Sequence, residues 1–441
     1  MKIKKIITTT AKVLGYIIFG LILLTVGVII GLYSPWTQES LRAKIIERMN
    51  MRPGVEMSLD RLSLRFPLEL SLGGLCVAYE GDTLIAAGNL DADVAIRPLM
   101  AGRVEADRLR LDDGRYTMGS PDSAMYMVID ASQLDIGPVK VGLKDMDIDI
   151  SRGLIAGGSV DMTLNADTTA AKSAPADSTT MSIRLGQLNL ENFTYRMKML
   201  PTIDSLGASI AHASLDSGLI DLKSQQIRLR SFTGTALDAA YIAPDSATIA
   251  ATPVVASTDT AAATAPWTIE IDSIGFADSR ALYTTRGIVP APGLDFTYIE
   301  LDSVDLGVSH FYNQATTLRL PVNVSGVERC GVRLKAAGTF SLDSAAMRLD
   351  DFTLSTPVTK LDFNALMGMG NITADPQLPV KLDVTGGVGV DDLRKMFPAF
   401  LPYLLTLPAN DDIKINLFAD GSMSRLELRH FDMGINRCVN L

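Results

Sequence analysis

The sequence has little of the material from which catalytic and metal sites are built. Its three histidines and three cysteines are spread along 441 residues, in no metal-binding or triad-like spacing. HExxH, GxSxG, P-loop and CxxC motifs are missing. Cys76, Cys330 and Cys438 are far apart and odd in number, so no disulfide framework is expected, although an oxidising compartment would permit one bond. We therefore predict a protein that is not an enzyme and carries no metal or other cofactor.

Positive charge is scarce outside the first 50 residues. The chain carries 40 Lys and Arg against 50 Asp and Glu, and residues 1–50 hold seven of the cations and two of the acids. The remainder therefore has a net charge near −15, which offers no electrostatic footprint for nucleic acid. We predict no nucleic-acid partner.

The first long feature that is present is an apolar run from Val13 to Tyr33, with no charge between Lys12 and Glu39. As a helix it spans roughly 31 Å, the thickness of a bilayer's hydrocarbon core. The predicted anchor residues are Val13, Leu14, Ile17, Ile18, Leu21, Leu24, Val28 and Ile29. Lysines precede the run, so the N-terminus is expected in the cytoplasm and the body across the membrane. A cleavable signal peptide is the alternative, but the run exceeds about 7–15 residues and no A-x-A site follows.

A short amphipathic helix is predicted directly after this run, from about Thr37 to Met49. Leu41, Ile45 and Ile46 recur with Met49 at helical spacing on one face. The helix lies near the membrane and leads into the body, or it is a plain connector. The residues alone leave both open.

From Val55 onward the hydrophobic period changes to two, which is typical of strands with one apolar and one polar face. The clearest segments lie at 62–72, 139–150, 318–324, 380–384 and 413–417. A phase shift at Asp60-Arg61 indicates a bulge or a bend. Since helix signals are almost absent between residues 55 and 385, we predict a mainly β body with an elongated, antiparallel-type sheet.

One local pattern recurs, apolar-x-Leu-x-x-apolar-x-apolar. It occurs at 70–77, 141–148, 188–195, 347–354 and 426–433, and with one glycine in an apolar position at 109–116 and 227–234. Starts that lie 39 or 79 residues apart favour repeating β units over chance. The two central polar residues form either a tight hairpin turn or a bulge, and both keep the apolar residues on one face.

Two segments interrupt the alternation. Residues 165–181 and 238–266 are rich in Ala, Thr, Ser, Pro and Asp and poor in large apolar side chains, so they are predicted to be disordered insertions. They divide the chain into an N-terminal part with the anchor and the following helix, and three β segments. These parts are residues 1–50, 51–164, 182–237 and 267–441.

A last helix is predicted at 391–406, within the third β segment. Asp391 and Asp392 are placed to cap its start, and Pro398 and Pro402 to kink or divide it. Its surface is apolar nearly all round, which favours packing on the apolar face of the sheet. A plug at one end of the sheet or a membrane contact are the alternatives.

The N-terminal quarter of the chain carries a family resemblance. The features are the lysine cluster, the single anchor, the SPWTQESLRAKII helix and the run from Pro67 to Tyr116. That run holds an acidic-Gly-Asp turn at Glu80-Gly81-Asp82, a Leu-Ile-x-Ala strand after it, and the LRLDDGRY strand at its end. Together they resemble the N-terminal part of AsmA-like proteins, and within them of the TamB (translocation and assembly module) branch.

The resemblance implies a long, curled β-sheet whose concave side is an apolar groove. It further implies an inner-membrane anchor, a periplasmic body, and a role in moving phospholipid to the outer membrane or in assisting outer-membrane assembly. The implied partners are inner-membrane lipid, phospholipid and an outer-membrane assembly protein. The groove-lining candidates, taken from the recurring pattern, are Leu70, Leu72, Leu109, Leu111, Val141, Leu143, Leu188, Leu190, Ile227 and Leu229.

The residues alone leave open how the apolar face is covered. A closed sandwich covers it with a second sheet, whereas an open trough leaves it for acyl chains. Two functions correspond to these alternatives, a lipid conduit and a structural or assembly module that transports no lipid.

Overall fold

A computed structural model describes residues 33–65, 68–95, 97–98, 103–123, 125–142, 147–165, 182–201, 204–245, 267–314, 317–369, 377–422 and 424–435. Of these residues 73% are in strands and 9% in helices, so the prediction of a mainly β body is confirmed. Nearly all of the predicted anchor, residues 13–32, lies outside the described residues. Within them, every helix is too short or too polar to cross a bilayer.

The described strands form a single long, curled sheet. The strands are β1 (Val55–Ser58), β2 (Arg61–Arg65), β3 (Glu69–Tyr79), β4 (Asp82–Val94), β5 (Arg103–Met118), β6 (Met125–Ile136), β7 (Val139–Gly142), β8 (Asp147–Asn165), β9 (Ser182–Leu200), β10 (Asp204–Asp221), β11 (Gln226–Ala243), β12 (Thr268–Thr285), β13 (Tyr298–Gln314), β14 (Thr317–Glu328), β15 (Arg333–Leu342), β16 (Ala346–Ser355), β17 (Lys360–Gly368), β18 (Pro379–Gly389), β19 (Asp412–Ser422) and β20 (Arg425–Ile435). The helices are α1 (Pro35–Asn50), α2 (Val390–Met396) and α3 (Leu401–Leu404), with a 3-10 turn at Pro398–Phe400.

Strands pair with their neighbours along the chain, so the sheet grows in one direction from β1 to β20. β1 and β2 both pair with β3 and are separated at Leu59-Asp60, which confirms the break predicted from the phase shift. β6 and β7 share one position between β5 and β8 in the same way, with the break at Gly137-Pro138. The first edge is therefore β1 with β2, and the last is β20.

The sheet is mixed rather than antiparallel throughout. β8 pairs with β9, and β11 with β12, in parallel, because in each case the chain ends one strand at one rim and begins the next at the opposite rim. Alternation within a strand is the same for both pairings, so the sequence pattern could not reveal this. The two connections, residues 166–181 and 246–266, lie outside the described residues.

The predicted start of the second insertion, at residue 238, is wrong. β11 continues to Ala243, and Tyr241 stacks on Tyr283 of β12 with ring centroids 6.0 Å apart. The small alanines of this segment look like low-complexity sequence, yet they fit an ordinary strand once a paired neighbour is present.

The recurring pattern lies within a single strand at six of its seven positions, where it crosses an unpaired residue that we call a bulge, whereas at 141–148 it joins β7 to the antiparallel β8. At one level of the sheet, pairing is interrupted in each of seven successive strand pairs from β3 to β11, by one step in six of them and by two steps between β8 and β9. The skipped residues are Gly74, Gly88, Asp113, Ser132, Gly157, Asn192, Ala211 and Ala236. Several have left-handed φ values, such as +52° at Asp113 and +51° at Asn192. The unpaired residue of one strand is matched by one in its neighbour, so the register is the same on both sides. The apolar side chains change phase by one residue in every strand at this level and therefore stay on one face.

The pattern at 70–77, 109–116 and 188–195 crosses this first line of bulges, whereas 227–234 crosses a second line at Arg230. The spacing of 39 residues between the starts at 188 and 227 therefore joins two different lines of bulges. This spacing is the number of residues between successive bulges along the chain, and it does not by itself define a repeated unit.

The two rims of the sheet carry different structures. We call the rim that holds the β3–β4 turn, the loop 286–297 and helices α2 and α3 the helix rim. The opposite rim, where β2 ends and β3 begins, is the entry rim. The helix α1 starts at the entry rim. Its residue Gln38 donates from Nε2 to the carbonyl of Leu64, near the end of β2, at 2.8 Å.

The helix predicted at 391–406 is present and is divided at its prolines, as expected. The predicted cap is wrong, because Gly389 is the N-cap and gives no side-chain hydrogen bond. The carboxylate of Asp392 instead accepts from the hydroxyls of Thr356 and Thr359 in the β16–β17 turn. This contact holds α2 at the helix rim, so the expected position on the apolar face is wrong too.

Candidate functional site

The pairing register places one apolar residue from each successive strand in a single row across the sheet. From β2 to β20 this row reads Leu62, Leu72, Leu90, Leu111, Leu134, Ile155, Leu190, Ala213, Gly234, Phe276, Leu306, Val324, Ala336, Leu354, Leu361, Gly386, Ile415 and Met433. Each residue is the direct partner of the next, and no polar side chain interrupts the row. We call this surface the apolar face.

A second row runs beside the first from β2 to β15. It reads Leu64, Leu70, Ala92, Leu109, Ile136, Gly153, Leu188, Leu215, Phe232, Ile274, Val308, Val322 and Gly338. Three groove candidates, Leu70, Leu109 and Leu188, are therefore in one row, and Leu72, Leu111 and Leu190 are in the other.

The remaining candidates lie beyond the second line of bulges. Val141 and Ile227 share a row through Ile148, Ile183 and Ile220. Leu229 lies in the adjacent row, opposite Gly218. Because the phase of the apolar residues shifts by one at the bulges, these rows stay on the same face as the others. Leu143 lies outside the described residues.

The groove candidates chosen from the sequence do not include the part of the face on β12 to β20, although the recurring pattern occurs there at 347–354 and 426–433. Phe276, Leu306 and Leu354 belong to the same row as Leu72 and Leu111, although they are hundreds of residues away along the chain. Alternation was visible there, but which residues stand opposite each other depends on the pairing register. No local signal in one strand encodes that register.

Burial on the apolar face comes mainly from neighbours within the sheet. Leu190, Ile210, Ala213 and Phe276 form a buried cluster on β9, β10 and β12, with the Phe276 ring edge-on to Phe232 at 5.0 Å. Most other large side chains of the face are only partly buried. A second sheet packed over the face would leave many of them fully buried.

Fully buried large side chains are instead found at the helix rim. Among the described residues, the largest fully buried side chains are those of Val332 and Val390. Contacts between described elements join paired strands, α1 with β1 and β2, and α2 with its rim neighbours. The centre of the sheet is thus a single layer in the described part of the chain.

The opposite face of the sheet is polar and carries cross-strand ion pairs. Arg108 pairs with Asp135 and Arg196 with Asp161 across neighbouring strands. Hydrogen bonds from these guanidinium groups hold the pKa of both carboxyls below the usual range. Since the pairs are largely exposed, they add little stability. Their charged groups keep this face of the sheet hydrated.

Groups with catalytic or metal-binding potential are dispersed in the described structure. His212, His310 and His430 lie on three different strands, β10, β13 and β20. Burial, followed by the hydrogen bond with Glu328, raises the pKa of the Cys330 thiol to about 11. In the described ranges, no group of three or more His, Cys, Asp or Glu side chains is placed to hold a metal ion.

Comparison with protein-family models, curated proteins and solved structures gave no match to this chain. Its function is therefore inferred from the geometry and chemistry of the apolar face.

Proposed function

We propose that this chain is an AsmA-like protein of the TamB type, anchored in the inner membrane by residues 13–33, with its body in the periplasm. Its apolar face serves as an open groove that carries phospholipid toward the outer membrane and supports outer-membrane biogenesis. The observation that carries this proposal is the uninterrupted apolar row from Leu62 to Met433.

The length of the row suits a conduit better than a binding pocket. At about 4.8 Å per strand, a row from β2 to β20 extends roughly 80 Å along the sheet. A pocket for one ligand is shorter and fixes its occupant with a few placed polar groups. Aliphatic side chains without such groups hold an acyl chain by burial alone, which has no preferred position along the row.

The single-layer arrangement supports the same proposal. An exposed apolar surface of more than a few hundred Å² needs a covering partner. Acyl chains would supply that cover, while their headgroups remain near the rims or in water. The polar face with its ion pairs needs no such cover, so one side of the sheet can carry lipid while the other faces solvent.

The test is photocrosslinking of the full-length chain in membranes that contain a phospholipid with a diazirine on its acyl chain. Peptide mapping separates crosslinks in the anchor from those on the sheet. We expect crosslinks on apolar-face residues such as Leu109 and Leu188. The triple variant Leu70→Asp, Leu109→Asp, Leu188→Asp should lose most of them, because it places three carboxylates in one row.

The matched control carries Ser71→Asp and Asn189→Asp, which are next to two of these residues but on the polar face. It should crosslink as the unaltered chain does, and circular dichroism checks that both variants fold. An unaltered chain without sheet crosslinks would contradict the conduit. If that chain also held a stable protein partner, an assembly module without lipid transport would be the better description.

A further inference from the structure

Methionine side chains are concentrated at one place in the sheet. Of the 19 methionines in the chain, six lie on the neighbouring strands β5, β6, β8 and β9, toward the helix rim. We call them the methionine cluster, and its members are Met118, Met125, Met127, Met162, Met197 and Met199. Elsewhere in the described strands, two methionines are direct partners only at Met347 and Met367.

The pairing register brings the members of the cluster side by side. Four of them form one row across the sheet, in which each is the direct partner of the next, namely Met118, Met127, Met162 and Met197. The other two lie beside this row, two residues along the same strands, namely Met125 on β6 and Met199 on β9. Residues two apart in a strand point to the same face, so all six side chains share one face of the sheet.

This face is the apolar face. A Cβ atom on Gly114 would collide with the side chain of Leu111, which belongs to the apolar row. Gly114 and Leu111 therefore face the same way, although the bulge at Asp113 lies between them. Met118 is four residues beyond Gly114 in β5 and keeps that direction. Its partners in the row follow it onto the apolar face.

The thioether sulfurs of the cluster are not covered by a second layer in the described structure. Met125 is 42% exposed, and the other five members are partly buried. The adjacent row on the same face reads Tyr116, Ile129, Val160 and Tyr195. A small ligand can therefore reach the sulfur atoms from the open side of the sheet, in surroundings that are mainly apolar.

Oxygen ligands are scarce around the cluster. Among the described partners of its members, the one carboxylate is that of Asp204, opposite Met199, and it accepts from the hydroxyl of Tyr241 at 3.4 Å. A hard cation such as Ca²⁺ or Mg²⁺ needs several oxygen ligands, so the cluster does not suit it. Thioethers are soft ligands that select Cu⁺. The chemistry of this donor set therefore favours a soft monovalent cation.

The spacing of the side chains allows several sulfurs to meet at one ion. Met127 has a methionine neighbour on each adjacent strand, about 4.8 Å away, and a third about 7 Å away along its own strand. Each sulfur lies two bonds beyond Cβ on a side chain with three rotatable bonds. Sulfurs that start from these positions can converge above Met127.

We propose that the methionine cluster binds Cu⁺ through three or more thioether sulfurs centred on Met127. This site goes beyond the proposed function and does not rest on it, because binding of the ion requires no lipid.

The test is an anaerobic titration of the full-length chain with Cu⁺ in competition with a chromogenic Cu⁺ chelator. Cysteine sulfur also binds Cu⁺, so the chain used throughout carries Cys76→Ser, Cys330→Ser and Cys438→Ser. We expect this chain to withdraw a single Cu⁺ from the chelator. A chain that folds, as circular dichroism measures, and withdraws none would overturn the proposal.

The variant Met127→Leu, Met162→Leu, Met197→Leu leaves no two methionines of the cluster as direct partners. It should bind Cu⁺ at least about tenfold more weakly, since changes even beyond the direct ligands of a metal commonly cost that much. Leucine nearly conserves the volume of methionine, so the sheet should keep its fold. Normal binding by this variant would contradict the proposal.

The matched control is Met347→Leu, Met367→Leu, Met369→Leu. It removes the same number of thioethers, including the other directly paired methionines. That pair has Leu342 and Val380 as its outer partners, so no methionine on a third strand joins it. The control should bind Cu⁺ as the unaltered chain does. A loss as large as that of the cluster variant would place the site elsewhere and overturn the proposal.

X-ray absorption at the copper edge identifies the ligand atoms. In the chain without cysteine every sulfur is a thioether, so a first shell of sulfur neighbours is the expected result, and a shell of nitrogen and oxygen alone would contradict it. Lipid crosslinks at Leu109 and Leu188 are measured without copper. Failure of Cu⁺ binding and failure of the lipid conduit therefore give different results.

Discussion

The two edges of the sheet differ in whether the backbone groups of the edge strand are covered. Along the first edge, side chains of α1 form hydrogen bonds with backbone groups that an edge strand leaves unpaired. Arg42 Nη1 donates to the carbonyl of Leu59 at 2.5 Å, and Gln38 donates to that of Leu64. The amide of Met57 donates to Asn50 Oδ1 at 2.6 Å. The helix therefore covers β1 and β2 and blocks the addition of a further strand.

The last edge has no such cover among the described residues. Four large side chains of β20 on the apolar face are between 52% and 61% exposed, namely Leu426, Leu428, Phe431 and Met433. The outer backbone of β20 is unpaired in the described structure. The comparison shows that α1 covers the backbone of the first edge, whereas the backbone of β20 is bare in the described part of the chain.

The largest expected difference between the edges is in stability. Leu62 at the first edge is 7% exposed, whereas Leu428 at the last edge is 60% exposed. Leu62→Ala should lower the free energy of unfolding by about 2–5 kcal/mol, because it removes buried area and leaves a cavity. Leu428→Ala should cost less than about 1 kcal/mol. Urea unfolding of the two variants measures both, and equal losses would remove the distinction between the edges.

A smaller effect is expected from uncovering the first edge. Arg42→Ala removes the donor to the Leu59 carbonyl and the ion pair with Glu39, and should cost about 1–2 kcal/mol. Hydrogen exchange should become faster in β1 and β2 and stay unchanged in β20. Lys44→Ala, on an exposed position of the same helix, is the control and should change neither. If the two variants behave alike, α1 does not protect this edge.

The smallest effect concerns pH. The hydrogen bond from Arg42 lowers the pKa of Glu39 below its ordinary value of 4.5. A carboxyl whose pKa is lowered by folding contributes stability above its unfolded pKa and loses it as the pH falls through the folded pKa. Protection of β1 and β2, taken relative to the intrinsic exchange rate at each pH, should therefore fall slightly as the pH drops below about 4.5. Glu39→Gln should abolish that pH dependence, while β20 shows no difference between the two chains.

Local features of the fold were readable from the residues, and long-range ones were not. The strands, the break at Leu59-Asp60, the helix at Pro35–Asn50 and the division of the last helix at Pro398 all follow from periodicity and proline chemistry. The two parallel pairs, the extension of β11 to Ala243 and the position of α2 at the rim do not. They depend on which strand lies next to which, and on contacts such as Asp392 with Thr359 that join distant segments.

The same distinction between local and long-range features applies to the candidate site. The spacing at Leu70, Leu109 and Leu188 predicted residues that share one face, and the register shows that they also share one row. The groove candidates left out the residues that complete the rows, from Ile274 to Met433, because alternation identifies a face but not a partner. The exposure of Val289 and Phe296 at the helix rim was missed as well, since it is decided by the packing around them.

By itself, the sequence determined that this protein has one-sided apolar strands interrupted by bulges, because side-chain direction along a strand is set by counting residues. Only the tertiary structure decided that these strands join in one mixed sheet, that their apolar residues form continuous rows, and that one edge is covered while the other is bare. Those properties arise from pairing between residues far apart in the chain, and the local pattern is compatible with more than one register and more than one neighbour.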